Sequence, residues 1–314
     1  MKVWHFTGVG EPLVRAEVPE PTAGAGEVVL EVGAAGLCHT DVGILHDPMW
    51  SEPVGPLPLA LGHEVAGTIR EVGEGVTGWA VGDRVGVSPN GTTRPGIGRD
   101  GGYAPFCVAH PADLVAMPDA LSFELASVGT DAGLTAYSAV MSTGGVTAGQ
   151  RVAIVGVGGL GQVGVRVAAL AGAEVHVAEV KREVWPLAEE LGATSVVADV
   201  AELAALEPEV IVDFAGFGET TSKAVQAVKL GGRVVQVGMG RLEAMVSTWD
   251  LILKRVTLVG SRGGTIEELA EVYRLMAEGS LAPQLTTIGY DDIPDGLDRL
   301  HRGDVTGRLV AVPA

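Results

Sequence analysis

Cys38 and His63 are a soft sulfur and an imidazole nitrogen of the kind that hold zinc, and each stands beside groups that handle protons. They lie in Gly36-Leu37-Cys38-His39-Thr40-Asp41 and Gly62-His63-Glu64-Val65-Ala66-Gly67. A third stretch, Gly156-Val157-Gly158-Gly159-Leu160-Gly161, is a glycine-rich turn able to hold a dinucleotide pyrophosphate. A metal that polarises oxygen, together with a cofactor that carries hydride, points to an oxidoreductase acting between alcohols and carbonyls.

Cys38 and His63 are too far apart in sequence for a local zinc knuckle, and no C-x-x-C pattern of a structural zinc site occurs. A catalytic site assembled from distant loops fits better. Such a site uses three protein ligands and leaves one position open. Taken singly, Cys38 reads better as a buried thiol and His63 as a satisfied core histidine.

The glycine pattern follows an apolar strand, Val152-Ala153-Ile154-Val155, and opens a helix. Gly156 allows the tight turn, Gly158 admits the pyrophosphate, and Gly161 lets the helix approach the strand. Gly159 and Leu160 complete the turn, where the helix N-terminus offers unpaired N–H groups and partial positive charge. Glu179 ends the next strand, where a carboxylate accepts from the adenosine ribose and repels a 2′-phosphate; this favours NAD. Lys181 and Arg182 follow closely and could pair with a 2′-phosphate, so NADP stays open.

The elements that must position these groups differ along the chain. Up to about residue 125, short alternating segments such as Glu27–Val32, Glu64–Gly73 and Gly82–Val87 read as β-strands joined by Gly and Pro turns. From about Ser127 the texture changes. Ala132–Met141 reads as a helix, followed by strands at 151–155, 174–178, 210–214, 233–237 and 256–259, with helices at 160–171 and 185–191. The alternation predicts an α/β fold with a doubly wound parallel sheet. The tail predicts one amphipathic helix near Ile266–Ala277 and then strand-like pieces ending at Gly307–Val312.

At 314 residues and 47% hydrophobic content, the chain is long enough for two domains with large cores. A net charge of −18 without basic runs argues against nucleic acid or an anionic membrane as partner. No signal peptide or long apolar span is visible, and two cysteines are not a disulfide scaffold, so the expected location is cytoplasmic.

Taken in order, Cys38-His39-Thr40-Asp41, Gly62-His63-Glu64 ending at Gly67, Gly82-Asp83-Arg84-Val85 and the glycine-rich turn resemble the zinc-dependent medium-chain alcohol dehydrogenases over essentially the whole chain. The resemblance implies a chaperonin-10-like, mainly β catalytic domain, residues 1–130 with 263–314, and a Rossmann dinucleotide-binding domain, residues 131–262. It implies reversible hydride transfer between an alcohol and NAD(P), giving an aldehyde or ketone.

Residue by residue, the resemblance makes Cys38 and His63 the first two zinc ligands. Asp131 is the third, where the family often has cysteine. Glu64 matches a carboxylate that approaches the metal transiently, Asp41 an acceptor orienting His63, and Thr40 the hydroxyl that receives the alcohol proton. His39 and Arg308 match positions that contact cofactor phosphate. The family implies a homodimer or homotetramer, commonly joined through the cofactor-domain sheet, and a small-molecule alcohol or carbonyl substrate.

The chain departs from the family at two places. The four-cysteine structural-zinc lobe is missing, and Ser88–Gly102 is a short Gly/Arg/Pro loop, so at most one zinc per subunit is expected. Gly43 replaces a histidine that often ends the proton relay. A route from Thr40 through the cofactor ribose to water remains, or one through His46, which reads more readily as a surface residue. Cys107 reads as a buried structural thiol. Met49, Trp50, Leu57 and Trp79 read either as pocket lining or as packing. Two rivals are a zinc-free enone or quinone reductase of the same superfamily and a non-catalytic nucleotide-binding protein. The ligand set and Thr40 weigh against both.

Overall fold

Strand pairing brings the ends of three distant segments together, and at those ends stand Cys38, His63 and Arg308. The computed structural model describes residues 1–313. It divides into two units, one formed by Met1–Asp131 with the chain from Thr265 onward, the other by Ala132–Gly264.

In the first unit β1 (Lys2–Phe6), β2 (Val14–Glu17) and β4 (Leu59–Ala60) make a small sheet in the order β2-β1-β4. The larger sheet begins with β3 (Val28–Leu37), β5 (Glu64–Val72), β6 (Arg84–Val87), β7 (Phe106–Ala109) and β8 (Leu114–Ala116). Val28, Leu30, Leu37, Val65, Ile69, Val85, Val87 and Cys107 fill one core and are buried to 1% exposure or less. β3 and β5 run antiparallel with Gly36 opposite Glu64. Cys38, one residue past β3, and His63, one residue before β5, are therefore neighbours although distant in sequence.

Two short helices follow β3, α1 (His39–His46) and α2 (Pro48–Ser51). Cys38 caps α1: its sulfur accepts from the Thr40 N–H, and Asp41 reaches back to the Cys38 N–H. This is a capping box with sulfur in place of the usual hydroxyl. Farther on, α3 (Phe123–Val128) packs on β3 and β5. It runs into a π-helical turn, Gly129–Gly133, which carries Asp131. The expected helix at 132–141 is present in pieces, as this turn, α4 (Leu134–Ser138) and a second π-helical turn, Ala139–Thr143.

The second unit holds a six-stranded, all-parallel sheet. Its members are β9 (Arg151–Val155), β10 (Glu174–Ala178), β11 (Ser195–Val197), β12 (Val210–Asp213), β13 (Arg233–Gln236) and β14 (Thr257–Gly260), in the order β11-β10-β9-β12-β13-β14. The order reverses direction beside β9, so the glycine-rich turn that leaves β9 lies at the topological switch point, where such sheets bind ligands. Helices α5 (Gly161–Leu170), α6 (Trp185–Glu190), α7 (Glu219–Ala227) and α8 (Thr248–Leu253) connect the strands. The central strands are continuous apolar runs, as a sheet covered on both faces requires.

The tail returns to the first unit. The amphipathic helix expected at 266–277 is α9 (Ile266–Ala277), which begins with a Thr265–Glu268 capping box. β15 (Leu285–Gly289) and β16 (Arg308–Val312) extend the large sheet to seven strands, with β16 beside β3. Between them lies α10 (Ile293–Arg302), where strand-like pieces were expected. Pro294 stands in its first turn, where the missing N–H costs nothing. Gly296 lets it close on the sheet, since a Cβ there would come within 2.7 Å of Leu37. Leu309 pairs with Leu37, which sets Arg308 level with Cys38. The ends of β16, β3 and β5 thus deliver Arg308, Cys38 and His63 to one place.

Candidate metal centre and cofactor turn

The ligating atoms of Cys38, His63, Glu64 and Asp131 all lie within 4.8 Å of one another. Cys38, His63 and Glu64 are buried, and the Asp131 side chain is 18% exposed. Asp131 Oδ2 stands 3.7 Å from Cys38 Sγ and 3.5 Å from His63 Nε2. Those separations are long for hydrogen bonds. They match the edge of a tetrahedron with metal bonds of about 2.0–2.3 Å, which is roughly 3.3–3.8 Å. Sulfur, imidazole and carboxylate donors together suit zinc.

Glu64 adds a further sign. It is fully buried, and its carboxylate pairs with Arg308. Yet neither of its oxygens makes a well-aligned hydrogen bond, nor do Nε and Nη2 of Arg308. Arg308 already supplies a cation to this carboxylate, and Glu64 stands as a charged oxygen donor within reach of the other three side chains. Gly36 makes room for it, because a Cβ there would lie 2.8 Å from Glu64 Cδ. The residues present therefore fit a zinc ion.

The electrostatics follow from this crowding. Burial pushes the Cys38 thiol up, but the Arg308 guanidinium and His63 outweigh it and hold the thiol below its ordinary value. The α1 N-terminus favours the thiolate as well. Burial opposes charge on His63, yet Asp41 and Asp131 raise its pKa well above the usual imidazole value.

Asp41, buried to 0% exposure, holds Cys38 and His63 from behind. Its Oδ2 accepts from the Cys38 N–H at 3.1 Å and its Oδ1 from the Gly62 N–H at 3.3 Å. Oδ1 also stands 3.3 Å from His63 Nδ1. A carboxylate in this place fixes the imidazole's tautomer and orientation. Tyr103, unmarked by any motif in the sequence, donates its hydroxyl to Asp41 Oδ2 at 2.9 Å. Burial and Asp41 raise the Tyr103 pKa well above the phenolic value, so it remains a donor. Only the glycine pair before it hinted at a close approach.

The Thr40 hydroxyl is half-buried and lies 3.5 Å from Cys38 Sγ, so it stands at the cluster. His39 is exposed one residue before it. Arg308, expected at a cofactor phosphate, is 2% exposed, with its charge engaged by Glu64 and 3.9 Å from Asp131. The structure thus puts it beside Glu64 and Asp131. Gly43 is covered by the Trp50 indole, and a Cβ there would come within 2.6 Å of the ring, so the space of the absent histidine is filled. His46 is exposed and stacks on His301 with ring centroids 4.3 Å apart. Trp79 packs on the core and donates to the Pro111 carbonyl, while Met49 is exposed. Cys107 is a free, buried thiol whose pKa burial pushes up to about 12.

In the second unit Gly156 takes φ +82°, a left-handed conformation suited to glycine. Gly158 is exposed with open space where a Cβ would stand, and Gly159 and Leu160 are partly exposed before α5. A Cβ at Gly161 would strike the Gly156 carbonyl oxygen. Glu179 braces this turn: its Oε2 accepts from the Val157 N–H at 2.7 Å and its Oε1 from the Lys181 N–H at 2.8 Å. Each oxygen keeps a lone pair for a further donor. Lys181 is exposed beside it, and Arg182 lies over the Trp185 ring. At the other side of the switch point, Asp213 accepts from Ala215 and Gly216 N–H groups and from the Thr220 and Thr221 hydroxyls.

The chain matches the family model for the alcohol dehydrogenase GroES-like domain over residues 24–119 and that for the zinc-binding dehydrogenases over residues 159–278. An alcohol dehydrogenase of Geobacillus stearothermophilus is 36% identical, over 96% of this chain and 96% of its own length. The crystal structure of the alcohol dehydrogenase from Aeropyrum pernix superposes with a TM-score of 0.90 at 32% identity, covering 100% of both chains. The acetophenone reductase of Geotrichum candidum, solved in complex with NAD, gives 0.90 at 29% identity over 99% of this chain and 96% of its own.

Proposed function

The chain belongs to the zinc-type medium-chain alcohol dehydrogenases, and we propose that it transfers hydride reversibly between a small alcohol and NAD(P), giving an aldehyde or ketone. The observation that carries this reading is the buried convergence of Cys38, His63, Glu64 and Asp131 with the Thr40 hydroxyl beside it. When bound, zinc supplies a Lewis acid for the substrate oxygen and NAD(P) the hydride acceptor.

The chain's own residues do the rest. Cys38, His63 and Asp131 hold the metal, with Glu64 within reach. Asp41 keeps His63 Nδ1 engaged, so Nε2 is left for binding. Thr40 Oγ1 takes the alcohol proton and passes its own onward. We read the onward route as the cofactor ribose and then water, a reading supported by the Trp50 ring that fills the space at Gly43. The glycine-rich turn and the α5 N-terminus take the pyrophosphate, with His39 as a further phosphate contact. Arg308 balances the charge of Glu64 and is a second candidate for phosphate contact. Glu179 supports NAD over NADP, since its carboxylate suits a ribose hydroxyl and repels a 2′-phosphate. Lys181 keeps NADP as the weaker alternative.

We read one zinc per chain, because one cluster of three or more ligating side chains occurs among the described residues. Among the described residues no helix is long and apolar enough to cross a membrane, and both thiols are free. A screen of primary and secondary alcohols with NAD and with NADP, followed by reduced-nicotinamide absorbance, tests the activity. Turnover with NAD is expected to exceed that with NADP. No turnover of any alcohol or carbonyl by zinc-loaded protein with either cofactor overturns the reading.

The homo-oligomer expected for the family is supported by the open edge of the parallel sheet. On β14 Leu258 is 37% exposed, and near it in sequence Trp249 and Ile252 of α8 are 73% and 69% exposed. An edge strand with apolar neighbours is a ready surface for a second copy. Sedimentation should find two or four chains, and Trp249→Glu combined with Leu258→Glu should release single chains. A monomeric wild type contradicts this assembly.

A further inference from the structure

Residues 96–103 touch no group of the proposed chemistry, yet they pack against two residues that hold it. A Cβ at Gly96 would come within 2.7 Å of the Gly62 backbone, and the Gly102 N–H donates to the Gly62 carbonyl at 2.6 Å. Gly62, at φ +87°, sits directly before His63. The next residue along this stretch, Tyr103, is 0% exposed and donates its hydroxyl to Asp41.

This contact completes the shell of the Asp41 carboxylate. Oδ2 takes the Cys38 N–H and the Tyr103 O–H, at 3.1 and 2.9 Å. Oδ1 takes the Gly62 N–H and faces His63 Nδ1, both at 3.3 Å. With both oxygens engaged twice, the carboxylate cannot turn about its Cβ–Cγ bond without breaking hydrogen bonds. Remove the tyrosine hydroxyl, and Oδ2 keeps a single donor and Asp41 gains freedom to re-aim. The Tyr103 ring also packs under Gly62: a Cβ at Gly62 would lie 2.5 Å from its Cδ1. One side chain therefore supports both the ligand's orienting carboxylate and the backbone next to the ligand.

We propose that Tyr103 is a positioning residue of the metal centre, fixing Oδ2 of Asp41 so that Oδ1 holds His63 Nδ1 and Nε2 stays turned toward Cys38 and Asp131. It acts through Asp41 and touches no reacting atom. The proposal rests on the reading of Cys38, His63 and Asp131 as zinc ligands.

The test follows zinc transfer from full-length, zinc-loaded protein to a chromophoric chelator, for wild type, Tyr103→Phe, Asp41→Asn and the double variant. Tyr103→Phe should release zinc measurably faster than wild type, by less than the about 10–100-fold in affinity lost when a ligand's own partner such as Asp41 is removed. In the Asp41→Asn background the same substitution should add little, since its route is already cut. Cobalt-substituted Tyr103→Phe should show shifted visible absorption bands. Tyr103→Leu, which also lacks the hydroxyl, carries the same expectation. Wild-type release rates in Tyr103→Phe, or an undiminished effect on top of Asp41→Asn, overturn the proposal while the metal reading stands. A wild type that binds no zinc overturns both.

Discussion

Asp131→Ala is expected to strip the protein of zinc and to lower kcat/KM by about 10³-fold or more, while the chain stays folded. Asp131 Oδ2 is the atom shared by Cys38 Sγ, His63 Nε2 and Arg308 Nη2, at 3.7, 3.5 and 3.9 Å. Without it the cluster keeps sulfur and imidazole but loses its carboxylate vertex. A Lewis acid contributes several kcal/mol to such chemistry, and about 1.4 kcal/mol corresponds to tenfold in rate. The side chain is 18% exposed, so its truncation opens no sealed void. Zinc content and kcat/KM should fall together, and Asp131→Cys, which restores an anionic ligand, should recover much of both. A fully zinc-loaded and fully active Asp131→Ala variant would remove Asp131 from the ligand set.

The second large effect concerns Arg308. Substituting Met keeps the stem and deletes the charge. Glu64, 0% exposed, then lies in the cluster with Asp131 and without the guanidinium that paired with it. Breaking a buried ion pair from one side costs about 3–5 kcal/mol. We expect Arg308→Met to lose stability of that order in chelator-treated protein. Zinc-loaded protein should lose clearly less, because the metal ion offsets the same negative charge. Urea unfolding of both forms, with and without zinc, measures the difference. Equal losses in the two forms would show that Arg308 and the metal do not share an electrostatic environment.

The two units differ in how much their sequences disclose. The parallel sheet was legible because its central strands are unbroken runs of Val, Ile and Ala between glycines, and the fold class followed from their alternation with helices. Its edge strand β11 escaped notice, being three residues long and only partly buried. α10 was hidden by Pro294 and Gly296, residues that signal turns but here serve a first turn and a close helix–sheet contact. In the site, Cys38 and His63 announced themselves by residue type and order. Asp131 did not. It came only through family resemblance, because nothing local marks a lone aspartate in a π-helical turn as a ligand. Tyr103 and the burial of Arg308 were beyond reach, since their roles arise from sheet register and a contact 62 residues away in sequence. The brace between Glu179 and the Val157 N–H is of the same kind.

The most direct test of the account is metal content and NAD(P)-linked alcohol turnover measured on the same preparation, before and after chelation. The account predicts one zinc per chain, loss of turnover as the metal is removed, and its return when zinc is added back. Zinc-free protein that turns over alcohols at the undiminished rate would contradict it, and would turn attention to the zinc-free reductases of the superfamily.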